Sequence, residues 1–529
     1  MHKRIKQGLL VCGTLGLIAS VGGFATQINR VSACNAPNLN QLPVKYDPRP
    51  WSIPIRNQHA LTGLGQNLCW SYSGNDMLSY AKQKTFGIKS IYSPNYTNYA
   101  TAVNSISDDV PVSTNNFERV LNGGGHIGSA ASLALLGHNP ILEKDFRSTD
   151  ENGVATAEVA ENKISKADYE VATAKHDQSF SVSDINRVGY ETNQTQHQSH
   201  IDELKRAIFQ TGSVGYAFDA RTVKPGEADG VDGYYSIENA ALNIDSDLLS
   251  SELYDKFISR DVGINHATLI VGYDDNYAKT KFNPTHQPRH NGAFLVRNSW
   301  GADFGDGGYF WVSYEDWFIK ESVGATSVKI TAPQPGYAQP LRDTSMRNDP
   351  FYVDFPNTNF EPDTGMNTNG DIVLSVLFPA KEHNATLTAV AIDTDLANVN
   401  YELYLVRGEI EQATDLSNVK TQGQLIKSGF EAQAGVHRRT IKHVKVPAGQ
   451  SYTLVLIEKA RDKSINNKAA QLFVTGAVSV VQPKTALMAY IDQQGKLTWL
   501  DMYYVKTRSN VHGSVIDVVP YLFAYSAEK

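Results

Sequence analysis

The stretch NQHALTGLGQNLCWSYSGNDMLSY, residues 57–80, decides how the rest of this sequence is interpreted. From Cys69 onward its aromatic and apolar residues recur at spacings of three and four, which predicts a helix that begins at the cysteine and runs to about residue 84. Peptide dipoles at a helix N-terminus favour an anion, so we expect the Cys69 thiol to ionise more easily than a free thiol. A lone cysteine in such a place is usually a small buried apolar residue, and only suitable partners make it a nucleophile.

The composition indicates a globular protein with more than one domain. The chain has 529 residues, too many for one ordinary core, and its 48 basic and 55 acidic residues give a net charge of −7. This balance gives no electrostatic reason to expect a nucleic acid or an anionic membrane surface as partner. Three cysteines in so long a chain rule out a disulfide framework.

The first 33 residues have the layout of a secretory signal peptide. Three basic residues precede an apolar, glycine-rich run that is short for a membrane span, and cleavage is plausible after Ala25 or Ala33. The residues before Cys34 also look somewhat like a lipoprotein processing site, although simple export is favoured. The sequence has no second apolar run of membrane length. We therefore predict export to the extracellular space, the cell surface or the periplasm, without a transmembrane span in the mature chain.

Two later segments supply the partners that a catalytic thiol needs. In NHATLIVGY, residues 265–273, an apolar strand starts directly after His266, and in VRNSWG, residues 296–301, another apolar strand ends at Asn298. A thiolate nucleophile needs an imidazole to exchange its proton and a third group to orient that imidazole. Each fragment alone has an ordinary structural explanation, but together with Cys69 they form a candidate Cys-His-Asn set.

These three fragments, in this order, resemble the papain-like cysteine peptidases. In that family Cys-Trp opens the central helix, His-Ala begins a strand of the β-lobe and Asn-Ser-Trp-Gly supplies the orienting asparagine. The resemblance therefore implies catalytic roles for Cys69, His266 and Asn298, and it implies that Trp300 shields the asparagine–histidine hydrogen bond from water. The implied fold is α+β, a two-lobed peptidase domain with a helical lobe and an antiparallel β-lobe. The implied substrates are proteins or peptides, and no cofactor or metal is required.

The spacing of the motifs predicts insertions relative to the simplest members of this family. Cys69 and His266 are 197 residues apart, against roughly 130–150 for the full papain-type span. We place the extra residues in the charged, alanine-rich segment 153–175 and in the segment 224–260.

Two glutamines compete for the role of oxyanion donor. Residues 55–58, IRNQ, resemble the family's segment around the glutamine whose side-chain amide, with the cysteine N–H, binds the oxyanion. This likeness favours Gln58, which however lies eleven positions before Cys69. Gln66, three positions before Cys69, is the rival.

A run of three glycines suggests where a substrate binds. Gly124 and Gly125 resemble the family's strip that hydrogen-bonds an extended substrate backbone, because glycine lets a peptide approach closely. A flexible turn before a helix explains these glycines about as well.

The composition changes after residue 330. The proline-containing segment 331–349 is typical of a linker, and beyond it short alternating strands separated by polar turns predict an antiparallel β-sandwich. The order of these strands resembles the lectin-like domain that follows papain-like peptidase domains in some exported bacterial proteins, so a glycan or another cell-surface ligand is a candidate partner. The predicted organisation is a signal peptide at 1–33, a peptidase domain at 34–330, a linker at 331–349 and a β-sandwich at 350–529.

We therefore expect an exported cysteine endopeptidase with an appended β-sandwich. One alternative is a catalytically weak or inactive papain-like scaffold that acts as a surface binding or adhesion protein, which the inserted residues between Gln58 and Cys69 favour. Another is a Cys-His amidase or acyltransferase that uses the same residues on the cell wall.

Overall fold

The computed structural model describes part of the chain, and the described residues belong to one compact unit, Leu42–Lys529. The predicted signal peptide and the rival glutamine, Gln66, lie outside the described residues, as do parts of both predicted insertions. The described residues are 42–60, 67–102, 124–146, 154–155, 166–189, 197–218, 235–236, 241–242, 266–282, 287–316, 319, 325–338, 350–353, 371–394, 397–410, 416–459, 472–477, 486–491, 497–501, 506–508, 515–519 and 522–527.

The helices and strands follow one another along the chain in two groups. The helices are α1 (Cys69–Phe86), α2 (Pro94–Ala100), α3 (Ser129–Leu135), α4 (Lys166–Thr173), α5 (His197–Thr211) and α6 (Leu416–Gln422). The earlier strands are β1 (Lys45–Tyr46), β2 (Asn57–Ala60), β3 (Val154–Ala155), β4 (Ser181–Arg187), β5 (Val214–Phe218), β6 (Tyr235–Ser236), β7 (Ala241–Leu242), β8 (His266–Asp274), β9 (Ala293–Arg297), β10 (Tyr309–Ser313), β11 (Thr326–Thr331) and β12 (Tyr337–Ala338). The later strands are β13 (Pro350–Val353), β14 (Ile372–Phe378), β15 (Ala385–Thr394), β16 (Val399–Arg407), β17 (Gly423–Glu431), β18 (Ala434–Val446), β19 (Tyr452–Lys459), β20 (Leu472–Ala477), β21 (Ala486–Ile491), β22 (Leu497–Asp501), β23 (Lys506–Arg508), β24 (Val515–Val519) and β25 (Leu522–Ser526).

Helix α1 is the central helix of the first lobe. It begins at Cys69 as predicted and ends at Phe86, where Gly87 adopts a left-handed conformation (φ 71°) and donates its N–H to the Gln83 carbonyl at 2.9 Å. Residues 70–82 are all buried, so the helix is enclosed on every side rather than amphipathic. Its apolar side chains join those of α3 in one hydrophobic core.

The second lobe is a sheet whose strands run in the order β1-β8-β9-β10-β7-β6, with β5 also paired to β8. Strands β8, β9 and β10 are antiparallel and almost wholly buried. The β8–β9 register pairs Leu269 with Arg297. The first residue of β8, His266, and the residue just after β9, Asn298, therefore lie at the same end of the sheet.

The C-terminal part contains two six-stranded sheets, β11-β4-β18-β15-β25-β12 and β17-β16-β19-β14-β21-β22, with a smaller sheet β13-β20-β24-β23. The first two are antiparallel throughout. Their apolar side chains meet in a common core. The predicted fold class, α+β with a following β-sandwich, is confirmed. The sequence prediction missed α6 and β17, and it did not anticipate that β4 and β11 join a C-terminal sheet.

Within the described part of the chain, no helix combines the length and the apolar character that crossing a lipid bilayer requires.

Candidate active site

The structure brings His266 and Asn298 into direct contact. Nε2 of His266 lies 2.8 Å from Oδ1 of Asn298, and both side chains are buried. The Asn298 oxygen also accepts the Ser299 backbone N–H at 2.8 Å. Because an amide oxygen only accepts, Nε2 of His266 must carry a proton. In the neutral ring Nδ1 is then unprotonated and is the nitrogen that can accept a proton.

Two aromatic rings hold the imidazole in this orientation. Trp300 stacks on His266 with ring centroids 4.5 Å apart and planes 27° apart, and Phe218 meets the same ring edge-on at 5.6 Å. The stacked indole covers one face of the histidine, and the resemblance implies that it shields the asparagine–histidine hydrogen bond. Sequence reasoning missed Phe218, because its contact depends on the β5–β8 pairing of Phe218 with His266.

The first turn of α1 packs directly against the backbone of β8. The Ala267 N–H lies near enough to the Cys69 sulfur to lower the pKa of the thiol. One turn later, Ser73 donates its hydroxyl to the Ala267 carbonyl at 2.9 Å. Cys69 therefore lies against the residue that immediately follows His266, and the residue as a whole is half-buried.

Burial raises the pKa of the Cys69 thiol, which is the reverse of the shift expected from its position at a helix N-terminus. Backbone N–H groups of Ala267, Trp70 and Cys69 itself lower this pKa, but they do not outweigh the desolvation of the thiolate. The helix position alone therefore does not activate the thiol, and ionisation needs a cationic partner.

Gln58 is fixed beside the asparagine segment from both its backbone and its side chain. Its N–H donates to the Ser299 carbonyl at 2.8 Å, and its Oε1 accepts the Ser299 hydroxyl at 2.6 Å. A short antiparallel bridge between Asn57 and Trp300 continues this pairing. Because Oε1 accepts from Ser299, the carboxamide is oriented and its NH₂ group lies on the opposite side. This contact of Ser299 with Gln58 was not identified from the sequence.

Gly124 and Gly125 lie next to the helix that carries the cysteine. A Cβ atom on Gly125 would come within 2.6 Å of the Trp70 indole, so only glycine permits this approach. A Cβ on Gly124 would meet nothing within 4 Å, and both residues are exposed. Gly124 thus presents an open backbone, and Gly125 lies against Trp70, the residue that follows Cys69.

One group of potential metal ligands occurs among the described residues, on strands β4, β17 and β18 rather than on the helix that carries the cysteine. Asp184, Glu431 and His437 cluster where β4, β17 and β18 meet. Arg439 donates to Asp184 at 2.7 Å and to Glu431 at 2.7 Å, and His437 lies 2.9 Å from Asp184. The group is therefore arranged as an ion-pair cluster, in which the arginine neutralises the carboxylates.

Part of the chain matches a known protein family. The family model described as papain family cysteine protease matches residues 230–327, which include His266 and Asn298. No curated protein sequence matches the chain significantly.

Two solved structures share the architecture along nearly the whole chain. The cysteine protease and lectin-like domains of Cwp84, a surface layer associated protein of Clostridium difficile, superpose with a TM-score of 0.60 at 18% identity, covering 92% of this chain and 90% of that one. A clostridial Cwp84 variant after propeptide cleavage gives a TM-score of 0.59 at 18% identity, covering 92% and 99%. The chain therefore has the fold of a papain-like cysteine protease with a lectin-like domain, and residues 230–327 match the papain family model.

Proposed function

We propose that the chain is an exported cysteine endopeptidase in which Cys69 is the nucleophile, His266 the acid and base, and Asn298 the orienting group. The observation that carries the proposal is the 2.8 Å contact of His266 Nε2 with Asn298, combined with the packing of Cys69 against Ala267. Because Nε2 is held by Asn298, we assign Nδ1 of His266 as the ring nitrogen that exchanges a proton with the thiol.

In the first step the proton of the Cys69 thiol moves to Nδ1 of His266. The resulting imidazolium stabilises the thiolate, which supplies the cation that the buried thiol lacks on its own. The thiolate attacks the scissile carbonyl carbon, and the imidazolium then protonates the leaving amine. Asn298 keeps the ring in place while its charge changes.

The oxyanion formed in this step binds to the Gln58 side-chain amide and the Cys69 backbone N–H. Cys69 is the first residue of α1, so the helix itself provides no acceptor for its N–H. The preceding residue, Leu68, has no side-chain oxygen that competes for that N–H. Ser299 fixes the Gln58 carboxamide from the other side.

Hydrolysis of the thioester completes the reaction, with His266 accepting a proton from the attacking water. We place the substrate as an extended strand along Gly124 and Gly125. The open backbone at Gly124, and the tight contact of Gly125 with Trp70, support this placement. We further propose that the chain is exported, with residues 1–33 as its signal peptide.

The proposal is tested with residues 34–529 under reducing conditions. We expect this protein to cleave a denatured protein substrate, and we expect a peptide epoxide to label the wild type at Cys69 but not the Cys69→Ala variant. Thermal melts establish that both proteins are folded. A folded wild type that neither cleaves nor reacts would favour the inactive scaffold. Cleavage of cell-wall fragments but not of a peptide library would favour the amidase.

A carbohydrate is our proposed ligand for the β-sandwich. A shallow cavity of about 420 Å³ lies on the sheet formed by β16, β17 and β19. The ring of Phe430 is 46% exposed and lies beside polar side chains that donate and accept hydrogen bonds. An exposed aromatic ring next to such groups suits the apolar face and hydroxyl rim of a sugar. The cavity is lined by Asn400, Tyr401, Glu402, Ser428, Gly429, Phe430 and Lys459.

The same strand offers a matched control for this site. Leu425 is also 46% exposed on β17 but does not line the cavity. On a glycan array we expect wild type and Leu425→Ala to bind the same sugars and Phe430→Ala to lose them. Equal binding by both variants, or no binding by the wild type, would exclude this cavity as a carbohydrate site.

A further inference from the structure

A buried cluster of charged residues connects the three segments that carry the proposed catalytic groups. Its members are Arg56, Asp76 and Arg297, and none of them takes part in the reaction described above. Their side chains are 2–7% exposed. Asp76 accepts hydrogen bonds from Arg56 through Oδ1 and from Arg297 Nε through Oδ2, the latter at 2.8 Å. One carboxylate thus joins two guanidinium groups.

The Arg297 guanidinium also donates hydrogen bonds to the backbone of the N-terminal segment, residues 53–58. Its Nη1 donates to the Ile53 carbonyl at 3.0 Å and contacts the Tyr309 hydroxyl at 3.2 Å, and its Nη2 donates to the Pro54 carbonyl. Burial lowers the pKa of Arg297, but the Asp76 carboxylate outweighs this and holds that pKa above its ordinary value. The Arg297 guanidinium is therefore permanently charged, and its Nε, Nη1 and Nη2 atoms each donate a hydrogen bond.

Arg56 extends the cluster to a further loop. Its Nη1 donates to the Tyr92 carbonyl at 2.7 Å and lies 3.6 Å from a carboxylate oxygen of Glu143. The backbone carbonyl of Arg56 accepts the Gly301 N–H at 3.1 Å. The N-terminal segment is thereby joined to both the helical lobe and the asparagine loop.

Each member of the cluster is close in sequence to a proposed catalytic residue. Arg297 immediately precedes Asn298, and Arg56 lies two residues before Gln58. Asp76 lies seven residues after Cys69 in α1, so two helical turns place both on the same face. A shift in the cluster would therefore move the nucleophile, the oxyanion donor and the orienting asparagine relative to one another.

Stability alone is a poor explanation for such a cluster. Desolvation of buried charges offsets most of their attraction, and apolar residues of similar volume often give equal or greater stability. What apolar residues do not supply is a fixed geometry: a guanidinium fork with several simultaneous partners sets distances and angles between the segments it joins.

We infer that Arg56, Asp76 and Arg297 are positioning residues that fix Cys69, Gln58 and Asn298 relative to one another. This inference rests on the proposed peptidase reaction. Arg297→Lys keeps the charge but loses the fork that reaches Asp76, Ile53 and Pro54 together. A misplacement of about 1 Å far from the chemistry costs up to about 10²-fold in rate. We therefore expect kcat for peptide cleavage by residues 34–529 to fall about 10- to 100-fold, with KM nearly unchanged.

A second readout separates positioning from a purely structural role. The rate at which iodoacetamide alkylates Cys69, measured against pH, reports the thiolate–imidazolium pair without any substrate. We expect Arg297→Lys to shift this profile towards that of an isolated thiol. Tyr309→Phe leaves the guanidinium in place and removes the hydroxyl's 3.2 Å contact with Arg297 Nη1 and its 2.8 Å contact with Ser52 Oγ, so it is the gentler variant. It should lower kcat a few-fold. If Arg297→Lys does not fold, this variant distinguishes positioning from a purely structural role.

Arg187→Lys is the matched control. Arg187 also holds a carboxylate with its fork, donating to Asp393 at 2.8 and 3.2 Å, but it lies in the C-terminal sheet. We expect a lower melting temperature with wild-type kcat and alkylation profile. The inference is overturned if folded Arg297→Lys or Tyr309→Phe behaves like this control. If the wild type itself neither cleaves nor reacts, the proposed function fails instead, and the two failures are thus distinguished.

Discussion

Replacing Gln58 by alanine tests how the oxyanion is bound. Loss of one oxyanion donor costs about 2.7–4 kcal/mol, or about 10²–10³-fold in kcat. The same change removes the acceptor of the buried Ser299 hydroxyl, which lies 2.6 Å from Gln58 Oε1. Leaving that hydroxyl unpaired costs about 1–3 kcal/mol of folding free energy. We therefore expect kcat to fall 10²–10³-fold with KM changed only slightly, and the free energy of unfolding to fall by about 1–3 kcal/mol.

The assay combines steady-state kinetics on a peptide substrate with urea unfolding of the same samples. Ser299→Ala keeps the Gln58 amide but removes its anchor, so we expect an intermediate loss of about tenfold. Gln66→Ala should leave kcat near that of the wild type. Alkylation of Cys69 should persist in Gln58→Ala, because the Cys69–His266 pair is intact. A 10²-fold loss in Gln66→Ala, with less than a fivefold loss in Gln58→Ala, would refute the reasoning and transfer the oxyanion role to Gln66.

Three further predictions follow from particular contacts. Trp300→Ala removes the ring stacked 4.5 Å from His266. It should lower kcat about tenfold, because water would then reach the hydrogen bond between the His266 imidazolium and Asn298. Wild-type kcat in this variant would exclude a shielding role. Burial, with a smaller electrostatic contribution from a neighbouring histidine, lowers the pKa of His176 from 6.5 to about 4. Between these values the unfolded chain binds the extra proton, so the free energy of unfolding should fall as the pH drops, by about 2 kcal/mol at pH 5; His176→Gln should show a smaller difference between urea unfolding at pH 7 and pH 5, and an equal difference would contradict the assignment. Tyr525→Phe removes the buried 2.7 Å hydrogen bond to the Leu135 carbonyl and should lower the free energy of unfolding by about 1 kcal/mol, measured by urea unfolding; no change would show that this contact adds nothing to stability.

The parts of the candidate site that the sequence predicted are those marked by local pattern. Cys69 opens a helix, His266 opens a strand and Asn298 follows one, and each boundary is visible in the alternation and spacing of neighbouring residues. The antiparallel register of β8 and β9 then brings the histidine and the asparagine together. Their catalytic roles stay predictions until the variants are assayed.

The features that the sequence did not predict depend on tertiary packing. The pKa of Cys69 is raised because burial outweighs the helix N-terminus, and burial arises from residues distant in sequence. The hydrogen bond from Ser299 to Gln58 joins side chains 241 positions apart. No local pattern encodes such a distance. The same holds for the Asp76–Arg297 pair, in which each residue by itself looks like an ordinary surface charge.

Long-range strand pairing also crosses the predicted domain boundary, residues 331–349. The change in composition there therefore does not separate two independent sheets. Strand β4 pairs with β11 on one side and with β18 on the other, matching Ile185 with Val328 and with Val436. A sheet of the β-sandwich is thus completed by strands that precede the boundary.

This shared sheet contacts the lobe that contains Cys69. Tyr525, in β25 of the same sheet, donates to the Leu135 carbonyl at the end of α3, and α3 packs with α1 in one hydrophobic core. Helix α3, which follows Gly124 and Gly125, is therefore in contact with the C-terminal sheet. Removing the β-sandwich would expose the edge of β4 and the apolar side chains beneath it, which favours aggregation. The β-sandwich therefore also supports the helical lobe that contains Cys69.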